Sequence, residues 1–163
     1  YFLILVRDPL AHSISLLEQH YNFSDKQTTD SYKLEYMNLL GHNEFGKSCI
    51  PFDYSNKKNK WYEGLDKFTL DYWLLQWIHT YEWVLSSKVL NENNIFLIIY
   101  EKLCEDKSIY KKLCKAIKIS NIENSIDLIS ANNLSKLKKF EASEEYILQA
   151  NKIYKELVSK SNF

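Results

Sequence analysis

Three side chains in this sequence could together hold a phosphate-type anion: Arg7, Ser15 and Tyr100. Arg7 is the chain's single arginine, and every other basic side chain is lysine. A guanidinium offers a rigid fork of donors that matches phosphate oxygens better than the point charge of an ammonium. Ser15 follows eight residues later and brings a hydroxyl. Tyr100 ends a second apolar run, as Arg7 ends the first, and could hydrogen-bond into the same space. At this level of reading the bland alternative stays open. Arg7 beside Asp8 could be a structural ion pair, and Ser15 could simply meet water.

The elements that must position these groups are legible nearby. Phe2 to Val6 is a short, branched, continuously apolar run, which predicts a fully buried strand of parallel type. Asp8 suits a helix cap and Pro9 the first helical position, so a helix is expected from about Pro9 to His20. Leu10, Ile14, Leu16 and Leu17 would form its inner face, with His12, Ser15 and Gln19 on the other. The helix start would add backbone N–H groups and a favourable dipole beside Arg7. A second strand is expected at IFLII, residues 95 to 99. Ligands of open parallel sheets gather at the carboxyl ends of the strands, and those ends are Arg7 and Tyr100.

Between the two strands the reading is coarser. Asn22 to Asp30 reads as a polar loop and Tyr32 to Leu40 as a helix with Leu34, Met37 and Leu40 inward. GHNEFG and PFDYSNKKNKWYEG read as irregular connections rich in aromatics, suited to a lid, a pocket wall or a pinned surface excursion. Phe68 to about Leu90 carries the clearest helical period, through Trp73, Leu74, Trp77, Ile78, Tyr81 and Val84. Helices are expected from Lys107 to Lys118 and from Ser143 to Ser159. The order implies an α/β domain with a parallel sheet. Two strands are few for that class, and the chain enters a strand within two residues of Tyr1, so an N-terminally truncated fragment lacking its first strand is expected.

The segment LVRDPLAHSIS resembles the 3′-phosphate-binding segment of the PAPS-dependent sulfotransferases, in which an apolar strand, arginine, Asp or Asn, and proline lead into a helix with a serine eight residues after the arginine. Arg7, Asp8, Pro9 and Ser15 match that pattern. NNIFLIIYEKLCEDKSIYKKLCKAIKI resembles the family's later strand ending in Tyr-Glu, with a loop, an acidic pair and a helix after it. The resemblance covers residues 2 to 20 and 68 to 119, and MNLLGHNEFG points to bacterial members. It implies a P-loop-nucleotide-hydrolase-like sheet, PAPS as sulfonate donor and PAP as product. It assigns Arg7 and Ser15 to the 3′-phosphate and places Tyr100 near the adenine nucleotide. The acceptor would be a small molecule or carbohydrate with a hydroxyl or amine, met through a variable insertion at residues 21 to 67. The family's phosphate loop and catalytic histidine or glutamate precede the arginine and have no counterpart here. No catalytic residue is therefore assigned, and the fragment alone is expected to be inactive. The family's C-terminal glycine-rich basic segment has no clear match either; SKLKKF, residues 135 to 140, carries cations without an assigned role. A nucleotide-phosphate kinase relative and a non-catalytic helical interaction module are the competing readings. His79 and Trp83 read as packing residues, and His42, Glu44 and Trp61 as candidate acceptor contacts that more simply stabilise the surface.

Bulk properties narrow the classes further. The chain has 163 residues, 45% of them hydrophobic, and equal numbers of acidic and basic side chains. That suits one globular domain, or part of a larger one, and gives no basic balance pointing to nucleic acid. No apolar stretch approaches the roughly 20 residues of a bilayer span. The three cysteines lack metal-ligand spacing and, being odd in number, suit a reducing, cytoplasmic setting, with one disulfide plus a free thiol as the open alternative. His12, His20 and His42 do not make a zinc pattern.

Overall fold

A computed structural model describes residues 1 to 54, 60 to 119 and 140 to 163. Strand β1 (Phe2–Val6) pairs in parallel with strand β2 (Ile95–Ile99), in the register Phe2 with Ile95 through Val6 with Ile99. Helix α1 (Pro9–Thr29) follows β1, and helix α2 (Ser31–Leu39) follows it after a single residue, Asp30. Helix α3 (Leu70–Ser86) and a 3₁₀ turn (Lys88–Asn91) lead into β2. Helices α4 (Tyr100–Glu105), α5 (Lys107–Ala116) and α6 (Glu144–Lys160) complete the described elements. The result is a small two-stranded parallel sheet flanked by helices.

Helix α3 is the central post. Its buried residues run almost round the cylinder, from Leu70, Trp73 and Leu74 to Trp77, Ile78 and Tyr81. One side joins Val6, Leu97 and Ile99 of the sheet and Ala150, Ile153 and Leu157 of α6 in one apolar cluster. The other joins Ile14 and Leu17 of α1 with Cys49 in a second. Both clusters exclude water from large side chains, and this burial is the main stabilising term of the fold.

Several expectations are corrected. Helix α1 does not stop at His20 but runs to Thr29. Its buried stripe continues past Leu17 as His20, Ser24 and Gln27, polar residues that hide the period from a hydrophobicity reading. Two of them hold a loop: His20 Nδ1 accepts from Gly46 N–H at 3.2 Å, and Gln27 Oε1 accepts from Lys47 N–H at 2.7 Å. Gly46 has φ +80°, and a Cβ there would press on the Gln27 side chain that holds Lys47 N–H, so the position favours glycine. Helix α2 exists but buries none of its residues, so Leu34, Met37 and Leu40 are not core. The strand β1 is not fully buried: Val6 is, while Phe2, Leu3 and Leu5 are 66%, 47% and 48% exposed. With one neighbouring strand, only the face toward α3 and α6 is covered. The outer edge of β2 is partly paired by Asn162, whose N–H donates to Leu97 O and whose Oδ1 accepts from Leu97 N–H. The loop expected after Tyr100 is the short helix α4. The SKLKKF lysines lie outside the described residues.

Candidate functional site

The parallel register brings the carboxyl ends of β1 and β2 side by side, because Val6 pairs with Ile99. Arg7 and Tyr100 are therefore neighbours. The Arg7 guanidinium carbon lies 5.5 Å from the centre of the Tyr100 ring, within the range of a cation–π contact. The Arg7–Asp8 ion pair left open by the sequence does not form. Arg7 makes no ion pair among the described residues, and the nearby carboxylates are spent elsewhere.

Those carboxylates build the corner. Asp8 caps α1, its Oδ1 accepting from Ala11 N–H at 2.8 Å. Glu101 Oε1 accepts from Asp8 N–H at 2.9 Å, and Glu101 Oε2 accepts from the Tyr154 hydroxyl at 2.8 Å. Glu101 thus ties the turn after β1 to the start of α4 and to α6. One consequence corrects the expected anion cradle. Pro9 has no N–H and Asp8 already satisfies Ala11, so the start of α1 has little donor capacity left for a ligand. Recognition of an anion here falls to side chains.

Ser15 sits on α1, half-buried, and its hydroxyl has no hydrogen-bond partner among the described residues. It is seven residues after Asp8, which returns it to the same face of the helix about 10 Å further along. No direct contact joins Ser15 to Arg7, so a ligand would have to span between them. Burial and then a hydrogen bond with the Cys104 thiol raise the Tyr100 pKa, with the Arg7 charge opposing. Tyr100 thus stays a neutral phenol near neutral pH.

A residue missed from the sequence lies between Arg7 and Ser15. His12 reads there as polar-face, yet it is packed toward α3 and its Nδ1 is buried with no hydrogen-bond partner. Its pKa is lowered, first by burial and then by the Arg7 charge, with Glu101 opposing. The ring is therefore neutral near pH 7. It lines a cavity of about 150 Å³ between α1, α3 and the Glu44–Phe52 loop. Gln76 and Trp77 of α3 line the same cavity, and Gln76 Oε1 and Trp77 Nε1 are likewise buried without partners. Each such group costs about 1–3 kcal/mol if nothing meets it. The readable signal was Gln76 itself, an amide inside the apolar run LLQW.

The other candidates fall into place as follows. His42 Nδ1 lies 3.3 Å from Glu44 Oε1 at the surface, and Glu44 also reaches the cavity. Trp61 donates to Phe52 O at 3.3 Å and stacks on His79 at 5.3 Å, so it pins the loop to α3 instead of lining the cavity. Trp83 stacks on Tyr54 at 4.7 Å. His79 and Trp83 are thus outer-face rings that hold the aromatic excursion against α3. The three cysteines are free thiols. No group of three or more His, Cys, Asp or Glu among the described residues is placed to hold a metal ion. No helix of the described residues is long and apolar enough to cross a membrane. A scan against protein-family models, a search of curated proteins and a search of solved structures each return no match to this chain, so the geometry of the Arg7–Tyr100 corner carries the functional argument.

Proposed function

We propose that the chain supplies the donor-holding part of a PAPS-dependent sulfotransferase, within a P-loop-type sheet. The observation that carries this reading is the pairing of Arg7 with Tyr100 at adjacent carboxyl ends of two parallel strands. A parallel sheet directs ligands to that edge. The guanidinium there has no carboxylate partner among the described residues, and the Ser15 hydroxyl on the same side of α1 is uncommitted. These groups fit a dianionic 3′-phosphate. Arg7 would take two of its oxygens, Ser15 would donate to a third, and the Tyr100 ring would pack beside the nucleotide. Asp8 and Glu101 lie close, but their oxygens are held by backbone N–H and hydroxyl donors, which lowers their repulsion toward the ligand.

In this reading PAPS supplies the sulfonate, and a hydroxyl or amine of a small-molecule or carbohydrate acceptor receives it. Residues of this chain bind and orient the donor, and orientation is itself a large share of catalysis. The competing helical module requires an exposed apolar face on α3, whereas α3 is the most buried helix described.

The test is calorimetric titration of the chain with PAP and with AMP, which differ by the 3′-phosphate. PAP should bind clearly tighter. Arg7→Ala should remove that preference, at a cost of about 2–5 kcal/mol if the charge pair is desolvated. Ser15→Ala should cost about 1 kcal/mol. Equal affinities for PAP and AMP in the unaltered chain would defeat the assignment of Arg7.

A further inference from the structure

His12 has no task in the sulfonate-donor reading, yet its place on α1 gives it one. On that reading, on which this inference rests, the anion lies between Arg7 and Ser15. Asp8, His12 and Ser15 stand at steps of four and three residues, so they share one stripe of the helix. Arg7 sits at the head of the stripe, and Ser15 lies about 10 Å beyond Asp8 along it. An anion held by both passes over His12. The ring there is half-buried, and its Nδ1 is closed off with no hydrogen-bond partner. A neutral imidazole has one N–H, and a second proton makes both nitrogens donors and the ring a cation.

The charges facing His12 decide when that second proton arrives. Burial disfavours it first and the Arg7 charge second, while Glu101 on α4 favours it. The acids at the corner are already engaged: Asp8 accepts from Ala11 N–H, and Glu101 from Asp8 N–H and the Tyr154 hydroxyl. Glu44, on the loop that closes the same cavity, is held below the usual carboxylate range by its own backbone N–H and by His42. Tyr81 on α3 is pushed by burial up to about 12, and burial also raises Tyr100, so both stay neutral phenols. A dianionic phosphate on Arg7 turns the local charge from positive to negative. The influence that repels a proton from the ring then attracts one. We propose that His12 is a positioning residue of the anion site, taking a second ring proton from solvent as a dianionic phosphate settles on Arg7 and holding that phosphate with a second positive charge. The coupling is reciprocal: the protonated ring favours the phosphate by the factor by which the phosphate favours the proton. The ligand-free ring is protonated only below about pH 6.5, and the ligand-bound ring at higher pH. The gain in affinity is therefore complete below the ligand-free value and is lost as the pH rises through the ligand-bound one.

The test is a pH titration of the four histidine ring signals by NMR, in the chain alone, saturated with PAP, and saturated with AMP. The His12 signal is assigned from its loss in His12→Asn. If circular dichroism shows that variant to be misfolded, elimination through His20→Asn, His42→Asn and His79→Asn assigns it instead. PAP should raise the His12 midpoint by about one unit or more, equivalent to about tenfold tighter binding of PAP by the protonated ring. AMP, without the 3′-phosphate, should leave the midpoint in place. Arg7→Ala should raise the midpoint of the ligand-free chain and remove the effect of PAP. A midpoint that PAP leaves unmoved, while PAP still binds tighter than AMP, would overturn the role of His12 and leave the donor reading standing. An equal rise with AMP would also defeat it, because the 3′-phosphate would not be the trigger. Equal affinities for PAP and AMP would sink both the donor reading and the role of His12.

Discussion

Glu101 shows how one side chain can matter to a site it does not line. Its two oxygens accept from Asp8 N–H and from the Tyr154 hydroxyl, so it fixes the turn that carries Arg7. The same bond, after burial, raises the Tyr154 pKa, which keeps that hydroxyl a donor. Glu101→Gln keeps the shape but removes the charge, and with its amide oxygen on Asp8 N–H its N–H₂ meets the Tyr154 hydroxyl, which must turn from donor to acceptor. The expected loss of stability is about 1.5–3 kcal/mol, because bonds to a charged acceptor are the stronger kind. Urea denaturation should read it, and PAP affinity should fall along with it. A variant as stable as the parent would show that the clamp does not bear on the corner. The sequence pointed to Arg7 and Tyr100 because each ends an apolar run, a pattern independent of tertiary contacts. It gave Glu101 no partners and placed His12 on the face opposite Leu10 and Ile14. Their roles depend on which element lies opposite, and residue types do not carry that information.

Helix α1 shows the same limit at the level of an element. Its first half obeys an apolar period and was legible, whereas its second half buries His20, Ser24 and Gln27, and so looked like a loop. What stabilises that half is the loop it grips. His20 Nδ1 accepts from Gly46 N–H, and its ring packs at a tilt against Phe68 at 4.7 Å and Trp73 at 5.4 Å. The His20 pKa is lowered, first by burial, then by the Lys67 charge, with Asp66 opposing. The sign follows directly. The unfolded ring takes a proton at about pH 6.5 and the folded ring only below that. The unfolded state therefore binds more protons in that window, and stability is full above it and falls as the pH drops through it. Protonation would also turn Nδ1 into a donor facing the Gly46 N–H. Hydrogen exchange at the Gly46 amide, corrected for intrinsic rate, should lose protection worth about 0.5–1.5 kcal/mol on acidification. His20→Asn, whose side-chain oxygen is always an acceptor, should flatten that dependence. Protection unchanged between about pH 8 and about pH 5 would contradict the assigned role of His20.

The whole molecule is organised around α3, which the sequence located well because its apolar period is unbroken over Leu70–Ser86. The sheet is the opposite case. Both strands were legible as apolar runs, but the degree of burial of β1 was not, since burial depends on what lies beyond each edge. One consequence concerns cooperativity. The apolar cluster of sheet and α6 and the cluster of α1 and the loop touch α3 from opposite sides. Neither can lose its packing without uncovering α3, so the two should unfold together. Leu74, fully buried on the sheet side, tests this. Leu74→Ala should cost about 2–5 kcal/mol through lost transfer energy and the cavity left behind. Leu148→Ala on α6, at a position 64% exposed, should change stability by no more than about 0.5 kcal/mol. The deciding comparison is between probes. Far-UV circular dichroism reports the helices, and tryptophan fluorescence includes Trp73 in the α1-side cluster and Trp77 in the sheet-side cluster. In Leu74→Ala the two urea transitions should shift to lower denaturant together and remain superimposable, the mark of a two-state unit. If fluorescence and dichroism separate, the two clusters do not unfold as one unit and α3 does not couple the halves.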